Sequence, residues 1–272
     1  MGLKRGRNED CFSNDDDYCL HVVADGMGGH SAGEIASRMA VNLISRSFCK
    51  WTDRQANKEV LFGAHDPSIS LTGNYVLSSI RLANRVIYEM AGQRESYYGM
   101  GTTVAVLAVT PKLIISANVG DSRIYMIGNG KIERLSEDHT MVAKQVDLGI
   151  ITEEQAENSP LKHVLTRNLG SSEDLDAEVF ELAPKKGYRF ILCTDGLTDL
   201  VSDNEILDMA EREPNPEALC RILVDKALSR GGNDNATVVT VCLGGGKRPN
   251  FRFIKKIGTL LGGFLRQKRG IE

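Results

Sequence analysis

Apolar positions along this chain recur in two rhythms. In residues 19–24, 102–109, 113–118, 123–127, 178–182, 189–193 and 237–243 they form short runs of Val, Ile, Leu and Ala. Such runs predict β-strands. Elsewhere the step is three or four. Ile35, Met39 and Leu43, flanked by Ala36, Ala40 and Ile44, predict one helix, and Val76, Ile80, Ala83, Ile87 and Met90 predict a second. Ser31 with Glu34, and Ser202 with Glu205, read as capping boxes at helix starts. Asn215-Pro216 opens a last helix and Gly231 closes it. Thr110-Pro111-Lys112 joins two strands as a hairpin, and Val119-Gly120-Asp121-Ser122 is a second tight turn. The stretch 102–127 is therefore expected to run as a three-stranded antiparallel meander. Helices come in pairs before and after it. The arrangement predicts layers with antiparallel sheets, not a doubly wound parallel sheet. Residues 136–170 are mostly polar and weakly periodic, with a short helix ending at Gly149 and a Thr152–Gln155 capping box. They read as a surface flap.

With 272 residues the chain can bury one large core. No apolar run approaches the roughly 18–20 residues that span a bilayer. The start, MGLKRGRNED, is charged at once and lacks the apolar region of a signal peptide. Six cysteines form no CxxC pair, and several lie inside apolar runs, which fits a reducing cytoplasm better than a disulfide framework. The formal charge is −3, but it is unevenly placed. From Lys247 onward eight Lys and Arg face one Glu, a tail of +7, so residues 1–246 carry −3 − 7 = −10. An acidic body argues against nucleic acid as a partner.

Four strand-like runs end or begin at a carboxylate beside Gly or Asn: Asp25 before Gly26, Asp121 after Gly120, Asp195 before Gly196 and Asp234 between two asparagines. A carboxylate at the mouth of a buried strand is costly unless a positive group sits beside it. Four of them suggest strand ends that converge on divalent cations. Hard oxygen donors favour Mg²⁺ or Mn²⁺, and the five histidines show no zinc-binding spacing. His21 alternates within a strand and reads as structural, whereas His30 stands near a helix start and close to the expected site. At the N-terminus Arg5 precedes Glu9 and Asp10. A guanidinium beside a metal cluster suggests a phosphorylated substrate.

The ordered set RxxNED (5–10), ADGMGGHSAGE (24–34), GTTV (101–104), ANVGDSR (117–123), DHT (138–140), LTRNLG (165–170), CTDGLTD (193–199) and GGNDNATVV (231–239) resembles the metal-dependent protein phosphatases of type 2C in their bacterial form. It covers roughly residues 3–243. The resemblance implies an α+β fold, a central antiparallel β-sandwich flanked on both sides by helices. It implies a catalytic domain over 1–245, with the flap at 136–170, followed by a tail over 246–272. It implies a site with two Mn²⁺ or Mg²⁺ ions and a weaker third. Asp25 would bridge both metals, the Gly26 carbonyl would bind one, and Asp195 and Asp234 would complete the other. Glu9 and Asp10 would hold metal directly or through water, Arg5 would hold the substrate phosphate, and Asp121 would serve the third ion. Arg5, Asp10 and Asp25 are thus the expected catalytic residues.

The activity so implied is hydrolysis of phosphoserine and phosphothreonine in proteins by metal-activated water, opposing a bacterial Ser/Thr kinase. Phosphorylated proteins, that kinase and its substrates are the expected partners. Two alternatives stand beside it: a catalytically silent phosphoprotein-binding module on the same fold, and a phosphatase specialised for one partner-switching regulator. Three features depart from the family pattern. Met27 stands where animal members carry a histidine proposed as general acid. Only Met1–Lys4 precede the first motif, where bacterial members have a strand, so a shortened edge or a start further upstream is expected. Tyr188 replaces a common Asp after Gly187, a change expected to be harmless. Cys193 lies beside the site without the arginine spacing of a thiol phosphatase. In the tail, Phe253, Ile257, Leu260 and Phe264 recur at helical steps among basic residues, a pattern able to contact a membrane surface or a protein.

Overall fold

The computed structural model describes residues 2–28, 32–93 and 95–244. His30, the Ser31 cap and the tail lie outside the described residues. In chain order the strands are β1 (Asp10–Asp15), β2 (Leu20–Met27), β3 (Gly101–Thr102), β4 (Val104–Val109), β5 (Ile114–Val119), β6 (Arg123–Gly128), β7 (Lys131–Arg134), β8 (Glu178–Leu182), β9 (Arg189–Cys193) and β10 (Val238–Cys242). The helices are α1 (Ala32–Arg54), α2 (Leu71–Gln93), α3 (Met141–Asp147), α4 (Glu153–Glu157), α5 (Asp195–Thr198), α6 (Asp203–Arg212) and α7 (Pro216–Ser229).

Two antiparallel sheets face each other. One has the order β1-β2-β4-β5-β8, with β3 paired to β2 beyond the end of β4, and the other has the order β10-β9-β6-β7. The period-two alternation of side chains sets the layers. On β2, Leu20, Val22 and Ala24 join the cluster under α1 and α2, while Val23 points into the cluster between the sheets. On β4, Val104, Val106 and Ala108 face the helices and Ala105 and Leu107 face the second sheet. On β9, Ile191 and Cys193 face α5–α7 whereas Phe190 and Leu192 fill the inter-sheet core. Burial on both faces explains why these strands read as unbroken apolar runs. The layers are helix, sheet, sheet, helix.

The structure adds to and corrects the sequence-based strand pattern. β1 and β7 were not predicted. Both are sheet edges with polar exposed positions, and even Phe12 of β1 is 60% exposed. The predicted strand 102–109 is interrupted at Thr103, whose N–H donates to the Asp25 carbonyl (2.8 Å). The 102–127 meander does not stay in one sheet. β4 pairs with β5, but β6 lies between β7 and β9 in the other sheet. The turn at 119–122 carries the chain across. Gly120 makes this possible with φ +99°, and a Cβ there would lie 2.6 Å from the Thr103 side chain.

Helix α1 buries a line one position along from the expected one. Ala36, Ala40, Ile44, Phe48 and Trp51 are buried, while Ile35, Met39 and Leu43 are half-buried at the flank. The alanines let α1 approach the sheet closely. In α2, Val76, Ile80, Ala83 and Ile87 are fully buried as predicted. The later helix starts also hold. Glu205 accepts from Ser202 N–H (3.2 Å), and Asn215 Oδ1 accepts from Ala218 N–H (2.9 Å). All six cysteines are free, and Tyr188 packs its ring against Gly128.

The inter-sheet core should carry the fold's cooperativity. Leu192→Ala removes a fully buried side chain from it and should lower unfolding free energy by about 2–5 kcal/mol. Urea denaturation followed by circular dichroism measures this. A loss below about 1 kcal/mol would show that the sheets tolerate a gap there.

Candidate functional site

The acids singled out in the sequence meet at one end of the sandwich. Asp10 and Asp25 face each other across β1 and β2. Asp195 opens α5 one residue after β9, and Asp234 stands in the loop before β10. Asp121 follows β5 in the turn between sheets. Each approaches Asp25 closely enough to act on its charge: Asp10, Asp195, Asp234 and Asp121 all raise its pKa.

Backbone and hydroxyl contacts hold these groups against their mutual repulsion. Asp25 N–H donates to Thr103 Oγ1 (3.0 Å), and its carbonyl accepts from Thr102 Oγ1 (2.8 Å). Thr103 Oγ1 in turn shares a hydrogen bond with Ser122 Oγ (2.7 Å), beside Asp121. Asp10 Oδ2 accepts from Thr194 Oγ1 (3.0 Å) and Thr237 Oγ1 (2.7 Å), which flank β9 and β10. Gly26 N–H donates to the Glu9 carbonyl (3.1 Å). Gly26 and Gly33 abut so closely that a Cβ on Gly26 would lie 2.0 Å from the Gly33 carbonyl oxygen. The first turn of α1 thus sits on the end of β2, with the Glu9 carboxylate beside it.

Arg5 is brought in by a residue that the sequence marked only as a neighbour of Asp234. Asn235 is buried, its Oδ1 accepts from Glu9 N–H (2.9 Å), and its Nδ2 donates to the Arg7 carbonyl (3.0 Å). The N-terminal segment is thereby fastened to the loop that carries Asp234. Arg5 Nη2 donates to Asp234 Oδ2 at 2.5 Å, and its side chain remains half exposed at the mouth of the site.

The flap also reaches the acids. His163 Nδ1 lies 3.4 Å from Asp195 Oδ2, His163 Nε2 lies 3.4 Å from Asp199 Oδ2, and Lys162 Nζ is 3.4 Å from Asp199. His163, Asp195 and Asp199 offer donor atoms within 4.8 Å of one another. The bond to Asp195 raises the imidazole pKa above its ordinary value. At the flap's root, His139 N–H donates to the Gly120 carbonyl and Gly120 N–H donates to His139 Nδ1, both 3.0 Å. Arg123 holds Asp138 through two nitrogens (3.0 and 2.7 Å). The turn carrying Asp121 is therefore bolted to the flap. His139 falls within the DHT motif, whereas His163 lies in no motif that announces it.

Electrostatics show what the cluster lacks. Burial, then neighbouring acids, pushes Asp25 well above the ordinary carboxylate range. Burial likewise pushes Asp10 to about 6, against the pull of its two threonine bonds, and Asp121 to about 7. Burial also raises Asp195, but hydrogen bonds from His163 and Asp25 outweigh it and leave it low. Two buried oxygens, Asp10 Oδ1 and Asp195 Oδ1, have no hydrogen-bond partner among the described residues. Buried carboxylate oxygens are ordinarily satisfied. Hard, anionic, unpartnered oxygens in one place fit divalent cations.

Comparison with known proteins agrees with this chemistry. A family model described as protein phosphatase 2C matches residues 6–227. The serine/threonine phosphatase stp of Listeria welshimeri is 33% identical over 243 residues, covering 88% of this chain and 92% of its own. The protein phosphatase PhpP of Streptococcus pneumoniae is 32% identical over 246 residues, covering 89% and 94%. Among solved structures, the Mycobacterium tuberculosis serine/threonine phosphatase PstP/Ppp superposes with a TM-score of 0.77 at 30% identity, covering 90% and 95%. A structure of the PstP catalytic domain in complex with two manganese ions gives 0.72 at 29% identity, covering 88% and 93%. The chain belongs to the protein phosphatase 2C family, as a bacterial protein-serine/threonine phosphatase.

Proposed function

We propose that this chain hydrolyses phosphoserine and phosphothreonine in proteins at the acid cluster, using two Mn²⁺ or Mg²⁺ ions and opposing a bacterial Ser/Thr kinase. One observation carries the reading: carboxylates from four distant segments share one end of the sandwich, with two buried oxygens left unpartnered among the described residues. Asp25 would bridge the ions, with the Gly26 carbonyl on one and Asp195 and Asp234 on the other. Glu9 and Asp10 would lie at the same ions directly or through water, and Asp121 would hold a weaker third. When bound, the cations supply Lewis acidity, which makes a water more acidic near neutral pH and neutralises phosphoryl charge.

The chain's own groups do the rest. Arg5, half exposed and tethered at Asp234, presents its remaining N–H groups to the phosphoryl oxygens. Thr194 and Thr237 fix which oxygen of Asp10 stays free. Met27 has no proton to give, so the departing serine or threonine oxygen takes its proton from water or from another group at the site. No helix among the described residues is long and apolar enough to cross a membrane, and six free thiols fit a reducing cytoplasm. The division into a catalytic body ending near residue 245 and a basic tail follows the charge break at Lys247. A silent binding module would be favoured by a lost acid, and every expected acid is present at the site.

Asp25→Ala and Asp234→Ala should each reduce Mn²⁺-dependent turnover of a phosphothreonine peptide by about 100-fold or more, because each removes a donor from the ion pair. Asp121→Ala should cost less than about tenfold. Near-normal rates in the first two, or full activity in EDTA, would refute the assignment.

A second expectation concerns pH. Carboxylates raised to about 6 and about 7 hold protons in the folded chain that the unfolded chain releases lower. After chelation, their stabilising effect is complete below about pH 4 and is lost as pH rises through about 6–7. Added Mn²⁺ should therefore raise Tm more at about pH 7.5 than at about pH 5.5. A gain that shrinks over that interval would show that these acids do not bind the ion.

A further inference from the structure

The acid site and Arg5 address the phosphoryl group that every substrate shares, so surfaces elsewhere on the chain can add choice among proteins. At the far end of α1 a groove of about 680 Å³ opens beside α2. This size lies within the ~300–1,000 Å³ typical of sites that enclose a ligand. Trp51 and Leu61, both nearly buried, form its floor with Leu82. Val60 and Phe62 stand at its edge, 63% and 38% exposed. Its charged lining is Lys50 and Arg54, and no carboxylate among the described residues lines it.

These two cations continue a ridge. Arg46, Lys50 and Arg54 follow one another at one-turn spacing on α1, all exposed. Like charges at this spacing repel. Other exposed helical arginines are paired, as Arg38 is with Glu34, Arg85 with Glu89 and Arg221 with Glu217. None of the three ridge cations forms a salt bridge among the described residues. On the ridge's other side the same three cations line a hollow of about 470 Å³ together with Asp15 and Asp53, whose charges offset part of the ridge's but which form no salt bridge with it among the described residues. Asp53 accepts from Tyr18 Oη (2.7 Å), and Asp15 accepts from Asp17 and Tyr18 N–H (3.1 and 3.0 Å). The dipole at the helix C-terminus offsets repulsion at Arg54 and Lys50, but its effect is confined to about the last turn and does not reach Arg46.

We propose that this groove and ridge dock an acidic amphipathic segment of the phosphoprotein substrate. Apolar side chains enter between Trp51, Val60 and Phe62, and carboxylates meet Arg46, Lys50 and Arg54. Charge selects this occupant. The chain's own tail carries eight basic residues from Lys247 onward and is repelled by the ridge. An acidic segment is repelled by the rest of the −10 body and finds its complement here.

Geometry adds a spacing rule. Seventeen residues of α1 lead from Gly33, beside the acid site, to Lys50 at the groove, roughly 26 Å at ~1.5 Å per residue. An extended chain covers ~3.3 Å per residue, so at least about eight residues separate the docked segment from the phosphorylated one.

The test uses the full chain and an unphosphorylated fluorescent peptide of alternating Glu and Leu or Phe. Fluorescence anisotropy should show binding that weakens about tenfold or more in Lys50→Glu/Arg54→Glu and in Val60→Ser/Phe62→Ser, by loss of charge pairing and apolar contact respectively. Turnover of p-nitrophenyl phosphate should be unchanged in both, and Lys50→Gln/Arg54→Gln gives the same reading with a milder change. A phosphothreonine peptide carrying the acidic segment about fifteen residues away should show a KM about tenfold or more below that of one with a four-residue spacing, and the advantage should vanish in the charge-reversed variant. Equal binding of wild type and variants, equal binding of a Lys-for-Glu peptide, or a KM indifferent to spacing would overturn the proposal. Because peptide binding needs no metal, its failure is separate from any failure of the metal assignment.

Discussion

Mutual repulsion among buried carboxylates is the constraint on which this molecule depends. Two like charges about 4 Å apart oppose each other by about 4 kcal/mol even at an effective dielectric of about 20. Asp10, Asp25, Asp121, Asp195 and Asp234 would separate if their segments were free to move. They are held by groups that cannot move independently. Thr102 and Thr103 fasten the Asp25 backbone, Thr194 and Thr237 fasten the Asp10 carboxylate, and Asn235 ties the N-terminal strand of motif residues to the Asp234 loop. Each anchor spans two distant pieces of chain, so the cluster exists only when the whole sandwich is assembled.

That dependence explains why the inter-sheet core matters to the chemistry. Asp10 and Asp25 belong to one sheet, and Asp195 and Asp234 flank strands of the other. Val23, Leu107, Phe190 and Leu192 fill the space between and set the distance from one pair of acids to the other. Close packing transmits small changes of volume to neighbouring atoms. A gap between the sheets would therefore be felt at the oxygens. The crossing at Gly120 serves the same end, since it places Asp121 where the two sheets meet and ties it through His139 to the flap.

The sequence disclosed those parts of this arrangement that local chemistry enforces. Buried strands such as β2, β4 and β9 need apolar residues on both faces and so stand out. Caps at Ser202, Thr152 and Asn215 need particular side chains and so can be read. The acids at strand ends were legible because Asp-Gly beside an apolar run is costly without a purpose. Edge strands β1 and β7 were not legible, because an edge makes no apolar demand on its exposed face. The change of sheet at Gly120 was not legible either. A turn residue announces a turn but not the partner of the next strand. His139, His163 and Asn235 act through segments that only the fold brings together, and no spacing rule connects residue 163 to 195.

The same logic of charge separates where the molecule does its chemistry from where it can choose its substrates. On the proposed reading a phosphoprotein approaches with negative charge, and the acid cluster would repel it until cations and Arg5 compensated. Attraction at the site is then local and indifferent to the sequence around the phosphate. Selection has to come from surfaces whose charge differs from the body's, and two are present among the described residues. The flap brings Lys162 and His163 over Asp195 and Asp199, beside the acid cluster. The ridge Arg46, Lys50 and Arg54 lies at the opposite end of α1, with an apolar groove beside it. A helix that is acidic at its start and basic at its end makes the surface field directional. An acidic partner is drawn to the end remote from the acids, and tethering there raises the local concentration of its phosphorylated segment at the other end. Repulsion near the site then becomes useful, because it disfavours acidic proteins that lack the spacing to use both ends.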